Sequence, residues 1–361
     1  KLQLMSLLIL IASILLLLIL ISGAKLNAFI ALTIAAFFVG ILKAMPFTDL
    51  INSIQQGIGS TLGSLIFIIA FGVILGNLLS DSGAAQRISS VMIRSFGIKH
   101  IKWAMVITGF SVGISMFYNA GFIILIPMVF AVAKSTKQPI IYLGIAMASA
   151  LSITHGFLPP HPGPTAIAVI FKAAIGKTLL YGLIVAIPAL VAAGIIFPEF
   201  IKKINAFPPK GLFESKTFTE AEMPSFQISI ITALVPVFLM ATATCSELLL
   251  SEENPLRPIL IFIGNPTTAM LIAILFAIFS LGISRQRKMQ DIMDKSGNAM
   301  SSATMIILII AAGGAFKQVL IDSGIGTDLS SFFEKSSLSP LVLGWLIATI
   351  IRIALGSATV A

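Results

Sequence analysis

Of 361 residues, 57% are hydrophobic and only 10% charged, where a soluble globular domain carries about 25% charged residues. Water cannot be the solvent for most of such a surface, so a soluble fold is excluded. The single cysteine, Cys245, excludes a disulfide framework and offers no metal-ligand spacing. The formal net charge of +9 would suit a nucleic-acid binder, but the basic residues sit in short loops between apolar runs, which is membrane topology and not a nucleic-acid patch.

A hydrocarbon core of about 30 Å needs about 20 apolar residues of helix. On that criterion spans are predicted at 4–22, 26–45, 59–80, 140–155, 178–197, 227–246, 258–283 and 301–321. The first run is too long for a signal-peptide core, lacks a small-residue cleavage site and is followed at once by another span, so it reads as a transmembrane helix. The chain begins with Lys and stops on an apolar segment, which points to trimming at both ends. Two stretches are less ordinary. Residues 101–133 exceed one span and are interrupted by Gly, Asn and Pro; residues 341–361 end on a Gly-Ser-Ala-Thr tip.

Loop charge orients the spans. Arg87, Arg94, Lys99 and Lys102, then Lys202, Lys203, Lys210 and Lys216, then Arg285, Arg287 and Lys288 mark three cytoplasmic loops of an inner-membrane protein. Alternation along the chain then requires 101–133 to return to its side of entry, with Lys134 and Lys137 at the exit. It is read as a re-entrant helical hairpin, whose tip must line a cavity because bare backbone at membrane depth needs cover.

An internal repeat sets the class. Gly72, Leu79, Asp81, Ser82, Gly83, Ser89 and Ser90 recur as Gly313, Leu320, Asp322, Ser323, Gly324, Ser330 and Ser331 at one offset of 241. Charge bias puts Asp81 on the cytoplasmic side and Asp322 outside, and two related halves of opposite orientation are the mark of an inverted-topology transporter. The expected fold is an all-α polytopic membrane protein with inverted-topology repeats, re-entrant hairpins and a broken transmembrane helix. The expected divisions are N-terminal helices to 58; a first repeat, 59–197, with hairpin 101–133 and broken helix 140–175; a linking region, 198–298; and a truncated second repeat, 299–361. The Asp-Ser-Gly triplets read as helix ends with Gly at the terminus. Asn265-Pro266, inside a span, reads as a kink without function.

The chemistry is expected at the interruptions. Residues 154–164, THGFLPPHPGP, break an apolar helix with four prolines and two glycines. A broken helix leaves N–H groups at the start of its second half and carbonyls at the end of its first, suited to an anionic substrate and a coupling cation. Thr154, His155, His161 and Gly163 are the candidates, with His155 and His161 able to carry a coupling ion as the ionisable groups of this segment. In the hairpin tip Ser115, Tyr118 and Asn119 offer hydroxyl and amide groups suited to the polyol side of a sugar acid. The offset of 241 places Gly356, Ser357 and Thr359 at a second tip, near Arg352. No phosphate-cradling loop, zinc-binding helix or metal-completing carboxylate accompanies these residues, so no cofactor, metal or catalytic residue is expected. The expected partners are a small sugar acid, a coupling proton or sodium ion and the bilayer; a homo-oligomer is left open.

The segment THGFLPPHPGP closely resembles the signature of the gluconate:proton symporter family, the gluconate permeases. Residues 25–32 (KLNAFIAL), 264–266 (GNP) and 356–361 (GSATVA) are similar to other segments of that family, so the resemblance covers essentially the whole chain. It implies an ion-transporter-type fold and proton-coupled uptake of gluconate or a related aldonate. It also implies that the return arm of the second hairpin and the final spans are missing here. One departure stands out: where the family places an acid in a Phe-Phe-acid-Val-Gly-Phe tip, residues 117–122 read FYNAGF. Asn119 cannot take up a proton, so either His155 or His161 carries it, or another cation such as sodium is used, or the substrate is a different sugar acid. A channel or exporter for organic anions, a sodium-coupled carboxylate carrier, an intramembrane enzyme on the two histidines and a sensor are the competing readings.

Overall fold

The structure, a computed structural model, describes residues 2–204 and 218–328 together with positions 339, 341–342, 344–346 and 348–349. In chain order the helices are α1 (Leu2–Leu18), α2 (Ala28–Leu42), α3 (Phe47–Asp81), α4 (Ala84–Phe96), α5 (Ile101–Gly113), α6 (Tyr118–Thr136) and α7 (Ile140–Phe157). They continue as α8 (Pro162–Ile170), α9 (Ile175–Leu190), α10 (Phe197–Ile201), α11 (Phe226–Leu249), α12 (Leu256–Gly264), α13 (Pro266–Ala277) and α14 (Met289–Asp322). Wider π-helical turns follow α1, α9 and α13 at Ile19–Gly23, Val191–Ile196 and Ile278–Gly282. Among the described residues every regular element is helical, and seven helices are long and apolar enough to cross a membrane. The protein is therefore an all-α, multi-pass membrane protein, as its composition requires.

Several helix boundaries follow from local chemistry. The Asn27 side chain accepts the Phe29 N–H at 2.8 Å and starts α2, and Ser225 accepts the Ile228 N–H at 3.3 Å and starts α11. Two spans differ from the sequence reading. The run expected at 26–45 forms only the 15 residues of α2, about 22 Å of helix. Asn265-Pro266 is a full break and not a kink: α12 stops at Gly264, and Asn265 turns extended and accepts the Thr267 N–H at 3.1 Å to start α13. Gly264 also lets α12 pack closely on α11, because a Cβ there would lie 2.3 Å from the Leu239 carbonyl oxygen.

The repeat is visible in the backbone. α3 and α14 are 35 and 34 residues long and end in the same turn. The Ser82 N–H donates to Leu78 O and the Gly83 N–H to Ser80 O; Ser323 and Gly324 donate likewise to Val319 O and Ile321 O. Gly83 and Gly324 both enter the left-handed region, at φ of 79° and 76°, a conformation that glycine adopts without steric cost.

The described residues divide into two compact units. The first, from Lys1–Ile66 and Thr304–Ala361, has a core of Ile9, Val39, Leu50, Ile54, Ala315 and Val319. In it α3 and α14 cross glycine to glycine. A Cβ on Gly57 would lie 2.4 Å from Gly314 O and 2.8 Å from both Ala315 Cα and Gln318 Cβ, and one on Gly314 would lie 2.2 Å from Thr61 Oγ1. Residue 57 thus faces 314–318 while 61 faces 314, so α3 and α14 run antiparallel there.

The second unit, Phe67–Ala303, is cored by Leu75, Met105, Leu125, Leu143, Met147 and Met270. In it α5 lies close on α7: a Cβ at Gly109 would lie 2.7 Å from Met147 O and one at Gly113 2.3 Å from Thr154 Oγ1. Small residues four apart let helix backbones approach in this way. At the end of α3, Asp81 accepts hydrogen bonds from Arg287 and, at 3.1–3.2 Å, from Lys295. Asp291 sits in the same cluster, and the Arg287 hydrogen bond holds its carboxyl below the usual carboxylate range. A depressed pKa contributes stability that is present above the unfolded value, near pH 4, and is lost as pH falls through the folded one. Melting temperature should therefore decline at the acid end of a series from pH 7 to pH 3, and Asp291→Asn should flatten part of that decline.

Candidate functional site

The expected breaks fall close to where the sequence placed them, and the second unit brings two of them together. α5 ends at Gly113, residues 114–117 leave the helix, and α6 starts at Tyr118. α7 ends at Phe157, residues 158–161 turn, with a cis peptide between Pro159 and Pro160, and α8 starts at Pro162. Phe117 and His161 are the residues ahead of α6 and α8. Both are extended, with φ and ψ of −62° and 147° and of −62° and 148°. Their rings lie 6.1 Å apart.

His161 joins the two breaks. It is 2% exposed, and its Nε2 donates to Gly113 O, the end of α5, at 2.7 Å. A carbonyl only accepts, so Nε2 carries a hydrogen. Neutral His161 then accepts at Nδ1, and His155 donates to it from its own Nδ1 across 3.3 Å. Phe117 packs edge-on against His155 with centroids 5.8 Å apart. One hydrogen therefore lies between two imidazoles, held by an aromatic ring and a helix end.

A recess of about 240 Å³, its mouth included, opens at this junction, lined by Ser115, Phe117 and His161 with Gly72 of α3, Pro236 of α11 and Met270 of α13, among others. Most of that is open to solvent, and the enclosed part has room for about one water molecule, so a ligand of sugar-acid size requires the recess to widen. Two helix N-termini meet here, and neither Phe117 nor His161 caps its helix with a side-chain hydrogen bond. In the first turn of α6 the N–H groups of Tyr118, Asn119 and Ala120 have no intrahelical acceptor. In α8 two of the first three residues are prolines, which leaves Gly163 as the single N–H among 162–164. These N–H groups and the positive ends of two helix dipoles follow directly on Phe117 and His161, the residues that do line the recess.

The other expected site residues stand differently. Ser115 lines the recess, but its hydroxyl donates to Ala233 O of α11 and so locks the tip. Thr154 is fully buried and its hydroxyl donates to Leu151 O, 2.9 Å away in its own helix. Tyr118 stacks on Phe122 at 5.8 Å, and Asn119 is exposed beside it. Neither lines the recess. Gly356, Ser357 and Thr359, and with them Arg352, lie outside the described residues. Phe117, Gly72 and Met270 were not singled out from the sequence. Gly72 carried a signal, since it is the first position of the repeat; Phe and Met in an apolar chain carry none. Among the described residues no three His, Cys, Asp or Glu side chains group in a way that would hold a metal ion.

Interrupted helices meeting at a buried recess inside a multi-pass bundle define a membrane transporter. The chain belongs to the GntP permease family, whose family model matches residues 5–361. It is 49% identical over 357 residues to the high-affinity gluconate transporter of Escherichia coli (strain K12), covering 99% of this chain and 82% of that protein. It is 50% identical to the Gnt-II system L-idonate transporter of the same strain, over 99% of this chain and 81% of the relative. With the gluconate permease of Bacillus subtilis (strain 168) it shares 47% identity, over 99% and 82%. All three are named as transporters or permeases and none as an enzyme, which agrees with the class expected from the sequence.

Proposed function

We propose that this permease carries gluconate or a closely related sugar acid across the inner membrane by cation-coupled symport, with the proton as the coupling ion. The observation that carries the reading is the meeting of the two helix breaks at one recess, with Phe117 and His161 in its lining and His155 3.3 Å from His161. Backbone N–H groups of α6 and α8 would bind the carboxylate, and His155 and His161 would take up the proton. The relatives support the substrate class, because gluconate and L-idonate are both six-carbon polyhydroxy acids. Basic loops support the inner-membrane orientation.

This reading implies a stoichiometry. One added proton leaves an imidazole and an imidazolium joined by the same hydrogen bond. A second would put two like charges and two facing N–H groups across 3.3 Å, which like-charge repulsion forbids. The pair thus takes one proton per cycle. Neutralisation of the incoming carboxylate by that charge would couple the two fluxes, and movement of one repeat against the other would expose the site alternately to the two sides.

Proteoliposomes test this directly. An inward proton gradient should drive accumulation of labelled gluconate above equilibrium, and His155→Gln should flatten its dependence on pH. Equal uptake with and without proton or sodium gradients would sink the coupling. Accumulation driven by sodium alone, with a flat pH profile, would move the cation away from the histidines.

A further inference from the structure

Gly72 is the one residue around the recess without a side chain, and the fold gives no reason for that. It lies inside the 35 residues of α3, where alanine is the better helix former. It has no left-handed backbone angle. No backbone presses on it: a Cβ at position 72 would meet only Phe117 Cε1 at 3.6 Å, Met270 Cε at 3.7 Å and Phe117 Cζ at 4.0 Å, all ordinary contact distances. Gly76, one turn on, is different. A Cβ there would come within 3.3 Å of Ser115 O and 3.5 Å of Met116 Cα, so close backbone approach to the hairpin tip explains that glycine.

The recess is chemically divided. Its polar side chains are His161 and Ser115; Gly72, Leu75, Ile114, Pro236 and Met270 offer no hydrogen bond from their side chains. A carboxylate held at His161 leaves its carbon chain against that apolar lining. The larger members of the lining already fill their positions, and Met270 is the flexible one. We infer that Gly72 sets the length of acid the site accepts: a methyl group at this position would touch Phe117 and Met270 and take space that a six-carbon chain needs once the recess widens. This rests on the sugar-acid reading of the site.

The test compares wild type, Gly72→Ala and Gly72→Val in proteoliposomes, with six-carbon gluconate, four-carbon threonate and three-carbon glycerate as competing substrates. Gly72→Ala should melt at or above the wild-type temperature. Its uptake of gluconate relative to glycerate should fall at least about tenfold, and Gly72→Val should extend the trend. Relative rates that stay at the wild-type ratio, or that fall in equal proportion for all three acids, would overturn the inference while leaving the function intact. A wild type that accumulates none of the three acids overturns the function, and the inference with it. A Gly72→Ala chain that melts well below wild type would show that the fold requires this glycine, which also overturns the inference.

Discussion

His161→Ala should lower gluconate uptake by about ten- to a hundredfold. The ring is buried and holds the carbonyl of Gly113 at the end of α5 through Nε2. Removing it leaves that carbonyl without its side-chain partner, at a cost of about 1–3 kcal/mol for a buried polar group. A similar loss in alignment of the two helix starts corresponds to the stated change in rate, since about 1.4 kcal/mol is tenfold. The variant also removes the ring that packs against Phe117 and accepts from His155. Initial rates in proteoliposomes, measured beside melting temperature, check this. His161→Gln keeps a donor for Gly113 and should recover stability more than coupling. If His161→Ala transports at the wild-type rate with an unchanged pH profile, the junction of the two breaks is not the transport site.

The second large effect concerns stability. Gly57→Ala should destabilise the first unit by about 1–3 kcal/mol or more, the range for overpacking a tight core. Its Cβ would stand 2.4 Å from a carbonyl oxygen and 2.8 Å from a Cα of α14, and backbone atoms cannot rotate aside as a side chain does. Gly59→Ala is the internal control, two residues along the same helix, where a Cβ meets nothing within 4 Å. Thermal melts of the purified variants should separate the two clearly. Equal melting of Gly57→Ala and Gly59→Ala would mean that α3 and α14 do not cross at this point.

The sequence disclosed the features governed by local chemistry. Four prolines between 159 and 164 could only break a helix, and α7 and α8 part there. The Asp-Ser-Gly triplets had to end their helices, and both do so with one hydrogen-bond pattern. Tertiary choices were hidden. A proline after an asparagine looks the same at a kink as at a break, and only the extended backbone of Asn265, with its cap on Thr267, distinguishes them. The Ser115 hydroxyl was read as a ligand donor, yet the Ala233 carbonyl takes it, a partner 118 positions away. The start of α3 at Phe47 escaped the hydropathy criterion because its first half is polar, with Asp49, Asn52, Gln55 and Gln56 ahead of the apolar run.

That polar half has a consequence for hydration. At the crossing, Gly57 and Thr61 lie level with Gly314, inside a stretch of α14 apolar enough to span hydrocarbon. Gln55 and Gln56, next to the crossing, are exposed. Lipid tails offer an amide no hydrogen bond, and at that depth only protein or water can serve. The flank of α3 that carries these glutamines is therefore a surface that hydrocarbon alone cannot solvate.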